Sequence, residues 1–243
     1  MPCGIKLGID DGFVIASEFK SHVVVKPDFT LEGIQSIRKV STDDTQLLTL
    51  AIEEARADSG NGLVEIEQFI DGYDCSFLFW MAGGILTLLL AWDELSCFDE
   101  NGDLIAIGVS APLLASSLGH SEEIIKIAKE VYANFPSVSA LLAFSFRVDP
   151  LGKCWLIEIH SDFTGDLILD VLVPHATGHS YLKSLTSLVI NGSFDNENVR
   201  KMFNQICTPT AVIYNESPGY EIIKAQSINS LHEKIKELAN FTV

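Results

Sequence analysis

The strongly apolar run from Phe77 to Trp92, FLFWMAGGILTLLLAW, restricts how this chain can fold. It is shorter than the roughly 20 residues that a membrane-spanning helix requires, and Gly83-Gly84 divides it in the middle. Two apolar strands that meet at a Gly-Gly turn make a β-hairpin. The run therefore predicts a buried hairpin rather than a membrane span.

The remaining composition predicts a globular protein with a substantial core. Of the 243 residues 47% are hydrophobic, which suits one large domain or two small ones and argues against disorder. The net charge of −17 argues against nucleic acids and anionic membrane surfaces as partners. The opening residues, MPCGIKLGIDDG, lack the apolar core of a signal peptide, so we expect a cytoplasmic protein.

The cysteines predict reduced, buried thiols. The chain has an odd number of them, widely spaced and without a C-x-x-C pair: Cys3, Cys75, Cys97, Cys154 and Cys207. This pattern is typical of a cytosolic protein, and no spacing supports a zinc site or a catalytic thiol.

Period-2 and period-3.6 apolar patterns alternate along the chain. Besides the hairpin, strands are predicted over residues 23–26, 34–40, 63–69, 104–110, 141–148, 153–159, 211–214 and 220–225. Helices are predicted over residues 44–56, 121–133, 180–189 and 229–239. Short helices among mostly antiparallel strands predict an α+β fold.

Three segments in order carry the functional signal: VVVKP (Val23 to Pro27), EQFIDGYD (Glu67 to Asp74) and FRVDPLGKCWLIEIH (Phe146 to His160). They supply a lysine at a strand end, a hinge-like segment and carboxylates on two adjacent strands. Together they resemble the ATP-grasp superfamily over roughly Val23 to Asp170. The resemblance implies two α+β lobes that grip ATP, with Mg²⁺ as the metal.

The resemblance implies roles for the residues of the first two segments. Lys26 would contact the phosphates of ATP, and Asp74 would accept hydrogen bonds from the ribose hydroxyls. The adenine hinge would consist of Glu67, Gln68, Phe69 and Ile70. The alternatives are an ordinary surface lysine at position 26 and an Asp-Gly turn with a solvated Asp74.

The third segment would hold the metal. The resemblance implies Mg²⁺ ligation by Asp149 and Glu158, with His160 beside them, and a catalytic Arg147 that steadies phosphate or the acyl intermediate. Alternatively, Asp149 forms a turn and Glu158 is a charge at a strand end. A carboxylate in the apolar run CWLIEIH is costly without a partner, which favours a functional Glu158.

The sequence departs from the family pattern in three ways. The loop from Asp28 to Ile34 has a single glycine and two acids, whereas phosphate loops are rich in glycine. His160 replaces an amide, and Asp162 replaces an arginine. The N-terminal domain usual in the family is missing, so we expect a fragment, a partner chain or homodimer, or a substitute role for the C-terminal segment.

These observations predict a two-lobed ATP-grasp fold in four segments. They are a short N-terminal segment (1–22), a small lobe (23–76), a larger metal-binding lobe (77–175) and an α+β extension (176–243). The predicted activity is ATP- and Mg²⁺-dependent activation of a carboxylate as an acyl phosphate, followed by attack of an amine or other nucleophile. The alternatives are a catalytically degenerate nucleotide-binding or scaffolding module and an unrelated α+β domain.

Overall fold

The structure is a computed structural model that describes residues 5–7, 19, 21–29, 36–114, 119–135, 140–161, 165, 167–191, 208–215 and 219–239. The chain divides into two compact units. Unit 1 comprises residues 1–71 and 96–106, and unit 2 comprises residues 72–95 and 107–243. Within the described ranges, no helix has both the length and the apolar character needed to cross a membrane. The four-segment division remains a prediction.

Eleven strands and six helices are defined within these ranges. The strands are β1 (Ile5–Leu7), β2 (His22–Pro27), β3 (Arg38–Ser41), β4 (Val64–Gln68), β5 (Tyr73–Ala82), β6 (Ile85–Phe98), β7 (Leu104–Ala111), β8 (Ala140–Val148), β9 (Cys154–His160), β10 (Thr210–Tyr214) and β11 (Tyr220–Lys224). The helices are α1 (Thr45–Asp58), α2 (Ser121–Tyr132), the π-helix π1 (Ile168–Leu172), α3 (Val173–Thr177), α4 (Tyr181–Asn191) and α5 (Ile228–Ala239).

Unit 1 contains a four-stranded antiparallel sheet in the order β1-β4-β2-β3. Burial alternates along β2 and β4, so that one sheet face packs its apolar side chains against α1. The opposite face carries polar and charged side chains. Asp44 caps the N-terminus of helix α1, and its carboxylate accepts a hydrogen bond from the Leu47 N–H at 2.9 Å.

Unit 2 is built on a seven-stranded sheet in the order β11-β10-β7-β6-β5-β8-β9. The predicted hairpin is confirmed: β5 and β6 pair in antiparallel fashion, and their turn lies at Gly83-Gly84. One face of the central strands is aromatic and packs against Ile124 and Ala128 of α2. Its fully buried rings are Phe77, Phe79, Phe144 and Phe146. Burying each ring stabilises the fold by about 1.5–3 kcal/mol.

The other face of the same strands packs against π1. Leu78, Trp80 and Ala143 lie in this second core together with Ile168 and Leu172. The apolar packing ends before the strands do. The polar residues beyond it form the candidate site.

Most of the predicted elements are confirmed, with bounds that shift by a few residues. The strand predicted over 34–40 begins at Arg38, because Ser36 has a left-handed backbone (φ +56°) that interrupts extended structure. Residues 30–35 lie outside the described part of the chain. Three short elements were not predicted: β1, π1 and α3.

Candidate functional site

Strand register brings polar side chains together on one face of the unit 2 sheet. Asp74 on β5 lies opposite both Arg147 on β8 and Glu94 on β6. Two residues along the same strands, Ser76 lies opposite Ser145, which in turn lies opposite Glu158 of β9. Residues that alternate along a strand share a face, so these side chains project to one side. We call the set the polar cluster: Asp74, Ser76, Glu94, Ser145, Arg147, Glu158 and His160.

A β-bulge in β9 brings Glu158 to this face. Arg147 pairs with Trp155, but Ser145 pairs with Glu158 rather than with Ile157, because the register shifts between Ser145 and Phe146. The inserted residue reverses the alternation of β9. Trp155 and Glu158 therefore share a face although they are three residues apart. Without the bulge, the Glu158 carboxylate would point to the opposite face of the sheet.

Asp74 and Arg147 form a bidentate ion pair. The Arg147 Nε donates to Asp74 Oδ1 at 2.7 Å, and its Nη2 donates to Asp74 Oδ2 at 2.5 Å. The side chains are only 18% and 14% exposed. A parallel two-bond geometry at this burial fixes both groups in position. The two residues proposed to contact ribose and phosphate are thus held together by each other.

Ser76 and Ser145 continue the polar cluster toward β9. The two hydroxyl oxygens are 2.8 Å apart, and the Ser76 hydroxyl also donates to a carboxylate oxygen of Glu94. Ser76 is fully buried and Ser145 is 9% exposed. Buried hydroxyls require partners, and this chain of contacts supplies them.

Glu158 and His160 form the solvent-exposed edge of the polar cluster. His160 Nε2 lies 2.9 Å from Glu158 Oε1, and the side chains are 43% and 50% exposed. Because they lie two residues apart on one strand, their side chains share a face. A half-exposed carboxylate beside an imidazole can take up a cation without first breaking a buried contact.

Asp149, in contrast, is engaged by its own hairpin turn. Its Oδ1 accepts hydrogen bonds from the N–H groups of Leu151 and Lys153 at 2.9 Å each, and Oδ2 accepts one from Trp155 Nε1 at 3.0 Å. These hydrogen bonds lower the pKa of Asp149 below its ordinary value. The bond from Trp155 Nε1 has the largest effect, and the bond from the Lys153 N–H has the next largest. The carboxylate is therefore ionised at neutral pH. Its Oδ2 still has acceptor capacity for a metal ion.

In unit 1, Lys26 lies on the sheet face opposite α1. Its Nζ is 3.0 Å from Glu67 Oε2 and 3.4 Å from Glu65 Oε2, and its side chain is 16% exposed. Strand pairing places these three residues on one face. The two carboxylates therefore hold the Lys26 ammonium group in position and compensate its charge. A solvated lysine on the surface would have neither constraint.

The predicted hinge lies at the end of β4. Gln68 is the exposed last residue of the strand, and Ile70 follows it outside regular structure. The Phe69 N–H donates to the carbonyl of His22 at 3.0 Å. The Phe69 ring packs edge-to-face on Phe98 and lies 3.9 Å from Lys39 Nζ. This aromatic and cationic surface is chemically suited to a flat heterocycle.

The structure thus places the predicted residues in two groups. Unit 1 holds Lys26, Glu67, Gln68, Phe69 and Ile70, and unit 2 holds Asp74, Arg147, Asp149, Glu158 and His160. Sequence reasoning missed Ser76, Glu94 and Ser145, although a polar residue within an otherwise buried strand could have indicated them. Glu32, Asp162 and most of the predicted phosphate loop lie outside the described residues.

Solved structures resemble this chain over most of its length. An L-amino acid ligase from Bacillus licheniformis matches 99% of the chain at 14% identity, with a TM-score of 0.66. N5-carboxyaminoimidazole synthase from Aspergillus clavatus, in complex with ADP and 5-aminoimidazole ribonucleotide, matches 99% at 10% identity with a TM-score of 0.67. The biotin carboxylase domain of the 2-oxoglutarate carboxylase from Hydrogenobacter thermophilus, solved with MgADP and bicarbonate, matches 86% at 15% identity with a TM-score of 0.63.

These neighbours have the ATP-grasp fold, so the predicted α+β ATP-grasp fold is confirmed and an unrelated α+β domain is excluded. At identities this low, the likeness concerns the fold. The chain spans 66% of the length of the Bacillus ligase and 45% of the biotin carboxylase domain chain. No protein-family model and no curated protein matches the sequence.

Proposed function

We propose that this chain is an ATP- and Mg²⁺-dependent ligase that activates a carboxylate as an acyl phosphate for attack by an amine or another nucleophile. The observation that carries the proposal is the polar cluster, which lies on one face of the sheet in an ATP-grasp fold. Two of the structural neighbours were solved with ADP, one of them with magnesium and bicarbonate. We further propose that the protein acts in the cytoplasm.

In this proposal the residues of unit 1 bind the nucleotide. Lys26 would exchange a carboxylate partner for phosphate oxygens. Its ammonium group is a compact positive charge, which suits it to bind phosphate. The segment from Glu67 to Ile70 would contact adenine, with Phe69 offering an apolar surface beside the ring. Asp74, in unit 2, would accept hydrogen bonds from the ribose hydroxyls.

Residues of unit 2 would bind the metal ion and stabilise the negative charge that develops in the reaction. Glu158 would be the principal Mg²⁺ ligand, because its carboxylate is half exposed and offers a hard oxygen. Asp149 would contribute Oδ2, and His160 would support Glu158 or bind at the edge of the site. Arg147 would steady phosphate and the acyl intermediate. Bound Mg²⁺ would neutralise phosphate charge.

The carboxylate substrate and the nucleophile need further surface. Because the chain is shorter than the Bacillus ligase and the biotin carboxylase chain, we propose that this surface comes from an additional domain, a partner chain or a second copy of this chain. The structural neighbours differ in what their names and ligands indicate, an L-amino acid in one, bicarbonate in another and 5-aminoimidazole ribonucleotide in a third, so the substrate class is proposed only as a carboxylate and a nucleophile.

One observation favours a second candidate function, a nucleotide-binding or scaffolding module without turnover. The Asp149 carboxylate accepts three hydrogen bonds within its hairpin, and a histidine stands at position 160 where the family has an amide. Imidazole is a poorer Mg²⁺ ligand than an amide oxygen. Such a site would retain nucleotide binding and lose catalysis.

Thermal and chemical unfolding in ATP, with and without Mg²⁺, tests nucleotide binding. At a ligand concentration about 100 times Kd, MgATP should raise the free energy of unfolding by about 2.7 kcal/mol. The double variant Asp149→Asn, Glu158→Gln should lose the Mg²⁺-dependent part of this gain. The control Glu221→Gln, an exposed acid on β11, should keep it.

Release of ADP separates the two candidates. Mg²⁺-dependent ADP release in the presence of a panel of carboxylates and amines supports the ligase, whereas stabilisation by MgATP without ADP release supports the non-catalytic module. Equal MgATP stabilisation of the double variant and the parent, with the same Mg²⁺ requirement, would show that the metal assignment is wrong. The absence of any stabilisation by ATP would overturn both candidates.

A further inference from the structure

A second group of metal-ligating side chains lies in unit 2, outside the polar cluster. His120 immediately precedes α2, Glu123 lies in its first turn, and Cys154 is the first residue of β9. One ligand atom from each residue lies within 4.8 Å of the other two. Cys154 pairs with Val148, whose side chain packs in the core against α2. The group is therefore on the face of the sheet opposite Arg147 and the polar cluster.

The donor types select the metal. Imidazole nitrogen, carboxylate oxygen and thiolate sulfur together suit Zn²⁺, whereas Mg²⁺ binds oxygen donors almost exclusively. Zinc bonds of about 2.0–2.3 Å in a tetrahedron require ligand atoms roughly 3.4–3.6 Å apart. Because the three ligand atoms already lie within 4.8 Å of one another, small side-chain rotations suffice to reach that geometry.

The surroundings hold these side chains in place. A Cβ at Gly152 would lie 2.8 Å from His120 Cε1, so the imidazole ring packs directly on the β8–β9 turn. The Cys154 Sγ lies within 4.8 Å of a carboxylate oxygen of Glu123. Cys154 is 6% exposed, His120 is half-buried and Glu123 is exposed. In the part of the chain that the structure describes, the His120 ring has no hydrogen-bond partner.

Charge also decides whether a cation can be held at this position. The N-terminus of a helix carries a partial positive charge and disfavours a cation. Glu123 and a thiolate at Cys154 would supply two negative charges that offset it, and Glu122 lies exposed in the same helical turn. The thiol proton of Cys154 would be released to solvent as the metal takes its place.

We propose that His120, Glu123 and Cys154 form a three-ligand Zn²⁺ site with a water molecule in the fourth position. The metal would join the start of α2 to the start of β9, the strand that carries Glu158 and His160. This site is independent of the proposed nucleotide function, since it lies on the other face of the sheet and uses different residues.

Titration with Co²⁺ in the absence of nucleotide tests the site, because a cobalt–thiolate bond gives a charge-transfer band in the near ultraviolet. We expect one thiolate-bound Co²⁺ per chain, seen as a thiolate band that saturates at one equivalent, and displacement of the band by Zn²⁺ but not by Mg²⁺. Cys154→Ser should abolish the band. Cys97→Ser, which removes a partly buried thiol elsewhere, should retain it.

Glu122 and Glu123 are both exposed in the first turn of α2, so their Gln variants form a matched pair in which neither substitution is buried. Loss of a residue that only hydrogen-bonds to a metal ligand typically lowers metal affinity about 10- to 100-fold. Glu123→Gln removes a ligand itself and should lower the Zn²⁺ affinity by more than that, whereas Glu122→Gln should leave the affinity unchanged. No thiolate band in the parent chain, or equal Zn²⁺ affinities of the Glu122 and Glu123 variants, would overturn the proposal. Because ATP is absent, these results stand apart from the outcome of the ligase test.

Discussion

The ion pair between Asp74 and Arg147 is the best-defined contact between two residues of the candidate site. Both side chains are less than one-fifth exposed, and both carboxylate oxygens accept hydrogen bonds from the same guanidinium group. Removing one partner leaves the other charged in a poorly hydrated position. The pair therefore contributes to the stability of unit 2 as well as to any chemistry there.

We predict that Asp74→Asn lowers the free energy of unfolding by about 2 kcal/mol, between the effects of breaking an exposed and a buried ion pair. The measurement is urea denaturation at pH 7 without nucleotide. Asp43→Asn, the same change at an exposed position, should have little effect. Equal losses for the two variants would mean that the Asp74–Arg147 pair contributes no stability in solution.

Residue types could be predicted at the candidate site, but their arrangement could not. Arg147, Glu158 and His160 stand out in the sequence because they interrupt or end apolar strands, and Asp149 because it opens the Asp-Pro-Leu-Gly turn. Only the structure reveals that a bulge between Ser145 and Phe146 brings Glu158 to the face of Arg147. A bulge depends on pairing with a neighbouring strand, and one sequence does not specify that register.

Among the strands, the entry into β5 depends on a single glycine. Gly72 has φ +143°, and a Cβ placed there would lie 2.1 Å from the carbonyl oxygen of Val148. Strands β5 and β8 are paired from Tyr73 and Val148 onward, so this close approach occurs where the pairing begins. Any side chain at position 72 would push apart the two strands that carry Asp74 and Arg147.

We predict that Gly72→Ala lowers the free energy of unfolding by at least about 3 kcal/mol, because it combines a strained backbone with a steric clash. Gly83→Ala is the control: Gly83 also has positive φ, but its Cβ would meet nothing within 4 Å. That variant should lose about 1 kcal/mol. Equal losses in thermal or urea unfolding would show that backbone strain alone matters and that the contact with Val148 relaxes.

Regular elements were predictable where the pattern is local. The apolar run divided at Gly83-Gly84 identifies the β5–β6 hairpin, and the cap at Asp44 identifies α1. In contrast, π1 begins after Leu167, which has φ +60°, and its side chains are fixed by packing in the second core. A helix of five residues is too short to show a periodic pattern in the sequence, so tertiary contacts determine whether a π-helix forms here.

For the whole chain, the order of three motifs predicts the fold better than any one of them. Structures only 10–15% identical to this chain share its fold over 86–99% of its length. The substrates could not be predicted in this way. The motifs are proposed to bind nucleotide and metal, whereas the Bacillus ligase and the Hydrogenobacter biotin carboxylase chain extend well beyond the length of this chain.

Net charge affects the molecule as a whole. With 33 acidic and 16 basic side chains, the net charge is −17, and several cations are already engaged with acids. Mutual repulsion among the remaining carboxylates destabilises the folded state. Its range is about 30 Å at 0.01 M salt and about 8 Å at 0.15 M. Added salt should therefore relieve repulsion across the surface more than it weakens the partly buried pairs.

We predict that raising NaCl from about 10 mM to 150 mM increases Tm by about 2–4 °C, which corresponds to roughly 1 kcal/mol for a chain of this size. Calorimetry in the presence of EDTA excludes an effect of divalent metals. Exchange of two exposed acids for lysines, Glu53→Lys and Glu100→Lys, should reduce the dependence of Tm on salt. A Tm that falls with added NaCl would mean that the pairs of Arg38 with Asp103 and of Arg147 with Asp74 outweigh the repulsion.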